Sequence, residues 1–248
     1  STLYEDWFWL ENLNTTAENA SIYVWNYSTD EWQKIGFDEA RGWSSKFNFT
    51  IDIYDKEGDS ITCNLYISKD NKQSWELVGS YSISGTPGIP TKGTCSVVYH
   101  SFTCSDIGSN NWFKWEIKNG EPSNYYNTTE NNIKLRESIA TIELIEGNNS
   151  FVNRTYGNTP LKVRIFDKEA NVYKVGVNVS FYVTHDNTNY QFDTLIQSDT
   201  SGYATYSFSP DCSYTVGVQN WKAGVYNDGC YKNNIPEYGF TVNVTGQL

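Results

Sequence analysis

From residue 47 onward, runs of alternating apolar and polar residues are cut at short intervals by Gly, Pro, Asn and Asp. FNFTIDIYD (47–55) alternates along its whole length, KEGD turns it, and SITCNLYIS (60–68) follows. KDNKQ turns the chain before SWELVGSYSI (74–83), and SGTPGIPTKG loops it into CSVVYHSFTC (95–104) and then WFKWEIK (112–118). A second series runs through LKVRIFD, VGVNVSFYVTH, NYQFDTLIQ, GYATYSFS, SYTVGVQNW and EYGFTVNVTG. A period of two places alternate side chains on opposite faces of a strand, and nowhere does a helical period replace it. Such a chain is expected to be all-β, with two consecutive immunoglobulin-like antiparallel β-sandwich domains. The boundary is expected near 137–141, giving domains at 1–138 and 139–248. Residues 1–36 extend the first domain as a possible inter-subunit strand, and SIYVWNY and EWQKIGF within them read as a hairpin.

One phrase occurs twice. TIDIYDKEGDSI stands at 50–61 and KVRIFDKEANVY at 162–173. In each module this reads as an early strand with its turn. Ile51, Ile53, Val163 and Ile165 are expected in the cores. Asp55 and Asp167 are expected to start the turns, where an Asp carboxylate accepts backbone N–H groups.

Aromatic residues make up 16% of the 248-residue chain, which supplies core area although hydrophobic residues are only 38%. The net charge of −11 disfavours nucleic acid as a partner. No stretch of 18 apolar residues is present, so no helical membrane span is expected. The chain begins at Ser1 without Met, which leads us to expect removal of a leader or excision from a longer protein. Sequons for N-glycosylation occur at Asn14, Asn19, Asn26, Asn48, Asn127, Asn148, Asn153, Asn178 and Asn243. These nine exceed the roughly five expected by chance. Together these features imply an extracellular, cell-surface glycoprotein with N-linked glycans.

Five cysteines stand at 63, 95, 104, 212 and 230, without zinc-ligand spacing. Cys212 and Cys230 border strand-like runs and are expected to pair, closing a loop worth about 3 kcal/mol. Residues 95–104 read as one strand, whose ends would lie about 30 Å apart, so Cys95 and Cys104 should not pair with each other. Cys63 then bonds Cys95, or alternatively Cys104, and one thiol is left over.

SKDNKQSW (68–75) resembles the Asp-box hairpin of sialidases through Ser68, Asp70 and Trp75, with Ser74 for Thr and Lys72 for Gly; it reads as a turn. Asp55, Glu57 and Asp59 have the spacing that opens a calcium loop, but the Gly is misplaced and no distal Glu follows. The one cofactor these residues suggest is a structural calcium, with help from Glu121. His100 and His185 are the only histidines, and no nucleophile elbow or HExxH is present. No catalytic residue is assigned, and the chain is not expected to be an enzyme. Trp7, Trp9, Trp25, Trp32 and Trp43 crowd the first 45 residues. They read as packing residues or, in a second reading, as platforms for sugar. LYEDWFWL offers Leu3, Tyr4, Trp7, Phe8 and Trp9 as an assembly contact that adds a strand to another copy.

GYATYSFSPDCSYTVGVQNWKAGVYNDGCYKN with FTVNVTG, preceded by IEGNNSFVNR and LKVRIFDKEANVYKVGVNVSFYVTHD, resembles immunoglobulin-like repeats of archaeal cell-surface proteins. FTCSDIGSNNWFKWEIKNG and IDIYDKEGDSITCNLYIS resemble a companion module. The resemblance implies a secreted, N-glycosylated subunit of a filament or surface layer, partnered by copies of itself and without catalytic residues. The alternative is an adhesin or carbohydrate-binding module.

Overall fold

The structure, a computed structural model, describes residues 15–120 and 124–246. It divides into two units, residues 1–136 and 137–248. Both are β-sandwiches.

The first unit contains β1 (Thr15–Asn26), β2 (Glu31–Ile35), β3 (Arg41–Gly42), β4 (Phe47–Asp55) and β5 (Ile61–Ser68). It continues with β6 (Glu76–Ile83), β7 (Thr91–Tyr99), β8 (Gly108–Asn119), β9 (Asn124–Asn127) and β10 (Asn131–Arg136). One sheet has the order β2-β1-β4-β7; the other runs β3-β10-β8-β5-β6, with β9 on β8. Alternation along β4 buries Phe47, Phe49, Ile51 and Ile53. They face Leu65, Ile67, Phe113 and Trp115 of the other sheet, all at 0–1% exposure, and the Phe49 and Phe113 rings lie 4.9 Å apart. Burying such rings is the main stabilising term of the module.

The second unit contains β11 (Ala140–Glu146), β12 (Ser150–Asn153), β13 (Thr159–Asp167), β14 (Val172–Tyr173) and β15 (Asn178–Thr184). Then follow β16 (Tyr190–Gln197), β17 (Tyr203–Phe208), β18 (Gly217–Val225) and β19 (Phe240–Thr245). Leu161, Val163 and Ile165 of β13, Val179, Phe181 and Val183 of β15 and Trp221 of β18 are all buried, and the Phe181 and Trp221 rings stack 6.4 Å apart.

The two modules share their connections. β4 pairs with β1 and β7 as β13 pairs with β11 and β17, all antiparallel. β5 pairs with β6 and β8 as β15 pairs with β16 and β18. A short strand lies parallel to the last strand in each: β3 on β10, and β12 on β19. The repeated phrase is therefore the outcrop of a whole repeated topology.

Three expectations change. Residues 15–35 are not an appendage: β1 and β2 belong to the first sandwich's own sheet, with Thr15 opposite Asp55. The polar stretch after Thr15 is strand because β4 supplies its backbone partners, with a bulge between Glu18 and Ser21 that Asn19 makes at φ 55. The polar stretch NGEPSNYYNTTENN (119–132), which reads as a loop in the sequence, holds a short strand, β9. Finally, β7 stops at Tyr99, before His100 and Cys104.

Candidate functional site

The DKEGD turn is built around a buried carboxylate. Asp55 is 0% exposed. Its Oδ1 accepts the backbone N–H groups of Glu57, Gly58 and Asp59 at 3.1, 2.8 and 2.9 Å. Its Oδ2 accepts from Thr15 Oγ1 at 2.6 Å and Asn119 Nδ2 at 3.0 Å. Burial opposes ionisation, but the hydrogen bonds from Thr15 and then from the turn outweigh it and hold the carboxyl below its ordinary range. Asp59 is shifted upward, first by burial and then by the negative charges of Asp55 and Glu57. Gly58 has φ +82, and a Cβ there would come within 2.1 Å of Thr86 O, so this turn requires glycine. As a calcium ligand Asp55 is a poor candidate, because protein donors already occupy both oxygens. Among the described residues no group of three or more His, Cys, Asp or Glu is placed to hold a metal ion, and Glu121 lies outside them.

Of the two expected disulfides, Cys63–Cys95 forms and Cys212–Cys230 does not. Cys63 on β5 and Cys95 on β7 form a disulfide, Cα–Cα 6.3 Å, tying one sheet of the first sandwich to the other. Cys104 and Cys230 are both disulfide-bonded, and Cys212 is an exposed free thiol. The expected Cys212–Cys230 bridge is thus wrong. Cys212 precedes β18 and Cys230 follows it. A nine-residue strand between them spans roughly 27 Å, beyond the reach of a disulfide.

The sequons lie on surfaces. Asn19, Asn127, Asn148 and Asn153 are exposed, and Asn26, Asn48, Asn178 and Asn243 are partly exposed. Asn14 lies outside the described residues. Asn26, Asn48 and Asn148 are anchored through Oδ1, which accepts from Ser28 N, Ser96 Oγ and Thr241 N. That arrangement turns the amide nitrogen, the atom a glycan joins, away from the anchor. Asn19 and Asn178 instead use the nitrogen, donating to Asp52 Oδ2 and Asn227 O.

The residues expected to form an assembly contact, Leu3, Tyr4, Trp7, Phe8 and Trp9, lie outside the described residues. Trp25 and Trp32 face each other across the β1–β2 hairpin, ring centroids 5.1 Å apart and 69° from coplanar. Lys46 Nζ lies 5.5 and 5.6 Å from the two rings. Rings set edge to face offer no flat shelf for a sugar; they pack the hairpin and hold a cation.

SKDNKQSW is a tight turn between β5 and β6. Asp70 accepts from Ser68 Oγ, Ser74 N and Ser74 Oγ, and this pulls its pKa down to about 2. His100 is exposed. His185 lies against Tyr214, centroids 4.0 Å apart, with Ser213 Oγ 3.4 Å from Nδ1. Asp211 bonds that hydroxyl rather than the ring, so the three residues make a turn and not a base-activated nucleophile.

No protein-family model matches the chain, and no curated protein matches it. Among solved structures, red sea bream transglutaminase aligns over 92% of this chain and 31% of its own, with 11% identity and TM-score 0.28. The chain thus spans about a third of that protein's length. The D0-D1 domain of intimin aligns over 82% and 90%, with 14% identity and TM-score 0.28. A tetra-tandem repeat in the extending region of a large adhesion protein aligns over 90% and 65%, with 9% identity and TM-score 0.37.

Proposed function

We propose that this chain is an extracellular, N-glycosylated building block whose role is mechanical, acting in a filament or surface layer made of its own copies. One observation carries the reading. Two sandwiches of the same connectivity follow each other, and acceptor asparagines of both present themselves on outer surfaces. The Cys63–Cys95 bridge between sheets supports an oxidising, exterior location. No helix among the described residues is long and apolar enough to cross a membrane.

Glycopeptide mass spectrometry of native material, together with electron microscopy of the same sample, tests this. Ordered polymers carrying glycans at Asn26, Asn48 and Asn148 are expected. A glycan-free, dispersed monomer overturns it. Saturable binding on a glycan array, lost on Trp25→Ala, would replace it with the carbohydrate-binding alternative.

A further inference from the structure

At one end of the first sandwich a hydroxyl, a carboxylate and a carboxamide converge from three strands. Thr15 opens β1, Asp55 closes β4 directly opposite it, and Asn119 closes β8 in the facing sheet. Thr15 Oγ1 donates to Asp55 Oδ2 over 2.6 Å. Asn119 Nδ2 donates to the same oxygen over 3.0 Å and also contacts Thr15 Oγ1. Asp55 and Asn119 are 0% and 5% exposed. Asn119 Oδ1 is buried with no hydrogen-bond partner among the described residues. The carboxamide is therefore held by its nitrogen alone, beside a hydroxyl that already rests on a base.

We propose that Thr15 and Asn119 join in an intramolecular ester, with Asp55 as the proton carrier. Asp55 Oδ2 takes the proton of Thr15 Oγ1 as that oxygen attacks Asn119 Cγ. The Oγ1–Cγ bond forms, the Cγ–Nδ2 bond breaks, and Asp55 passes its proton to Nδ2, which leaves as ammonia. Nothing is oxidised or reduced, and no co-reactant enters. One oxygen of Asp55 touches both the nucleophile and the leaving nitrogen, so it serves both transfers in place. Holding the reactants together replaces a bimolecular encounter, worth an effective molarity of about 10⁵ M or more when well aligned. Burial then shields the ester from water. The product fastens β1 of one sheet to β8 of the other, a covalent tie beyond the Cys63–Cys95 disulfide. The second module supplies an internal control: Asp167 Oδ2 there accepts from the Tyr231 hydroxyl, and no carboxamide among the described residues is bonded to it.

The test uses the full chain made in a host that does not N-glycosylate. Its intact mass is expected about 17 Da below the sequence value, after allowing for disulfides, because one ammonia is lost. After reduction, trypsin is expected to release 1–34 and 119–134 as one joined species, which hydroxylamine separates. Thr15→Val abolishes the joined species and Thr15→Ser keeps it. Asn119 precedes Gly120, and a succinimide there also loses ammonia but leaves the two peptides separate. Separate peptides in the wild type, with or without that mass loss, overturn the proposal.

Discussion

Asp55 and Asp167 hold the same place in two successive sandwiches. Each closes the strand that pairs with the first strand of its module, each is 0% exposed, and each caps the next turn through Oδ1. Asp55 takes three backbone N–H groups there, whereas Asp167 takes those of Glu169 and Ala170. The difference follows from where the left-handed residue falls: Gly58 in the first turn, Asn171 one position later in the second. A buried carboxylate is tolerable only when donors surround it. The DKE phrase is thus the local signature of a turn tied into its own core.

Removing either carboxylate should therefore break every hydrogen bond it accepts. Asp55→Ala removes the acceptor of five hydrogen bonds and Asp167→Ala that of three, counting those from Thr15, Asn119 and Tyr231. We expect a loss of about 2–4 kcal/mol in each case, larger for Asp55→Ala, and about 1 kcal/mol for Tyr231→Phe. Urea unfolding measures this. Two alanine variants indistinguishable from wild type would show that the turns hold themselves.

Much of this architecture was legible in the sequence because a period of two acts locally. Ile51, Ile53, Val163 and Ile165 are all buried as their alternation demands, and both turn aspartates do what Asp at a strand end does. What stayed hidden depended on partners far away in sequence. Thr15–Ser21 looks polar and irregular, yet β4 makes it strand by backbone pairing that no side chain advertises. The carboxamide of Asn119 meets Thr15 only because two sheets close face to face. Cys212 and Cys230 are bordered by turn residues that suggest a closed loop, yet SYTVGVQNWKAGV between them is traversed by β18, which carries the two ends apart.

The thiol chemistry follows from that geometry. One cysteine, Cys212, should react with a thiol reagent in the native protein, and Cys212→Ser should remove the signal without loss of stability. Cys63→Ala with Cys95→Ala should cost roughly 3–4 kcal/mol, the chain-entropy value for a loop of this length. Peptide mapping without reduction checks both. A peptide linking Cys212 to Cys230 would refute the assignment.

Acid should cost stability only below about pH 4. Asp55 and Asp70 both sit below the ordinary carboxyl value of 3.8, and Asp70 falls to about 2. A carboxyl depressed on folding contributes stability that is complete above its unfolded pKa and is lost as pH falls through its folded one. Asp59, shifted upward, makes an opposing contribution that disappears on protonation. Near-ultraviolet circular dichroism melts should hold their midpoint from neutrality to about pH 4 and decline only below it. A steep fall between about pH 6 and 4 would contradict these shifts.

Trp115 and Trp221 lie on equivalent strands, β8 and β18, and both are 0% exposed, but only one indole is satisfied. Trp221 Nε1 donates to Gly147 O over 3.2 Å, while Trp115 Nε1 is buried with no partner among the described residues. Gly147 makes that approach at φ +103, where a Cβ would come within 2.7 Å of Pro160 O. Replacing either indole by Phe removes packed volume and should cost about 1–3 kcal/mol. Trp221→Phe also loses the hydrogen bond to Gly147 O, which keeps Ser150 Oγ as its donor, an added cost of about 1 kcal/mol, whereas Trp115→Phe removes a donor that has no acceptor among the described residues. The first sandwich should therefore absorb the substitution better than the second. Paired urea titrations of the two variants decide it, and a larger loss for Trp115→Phe would mean that its indole has an acceptor after all.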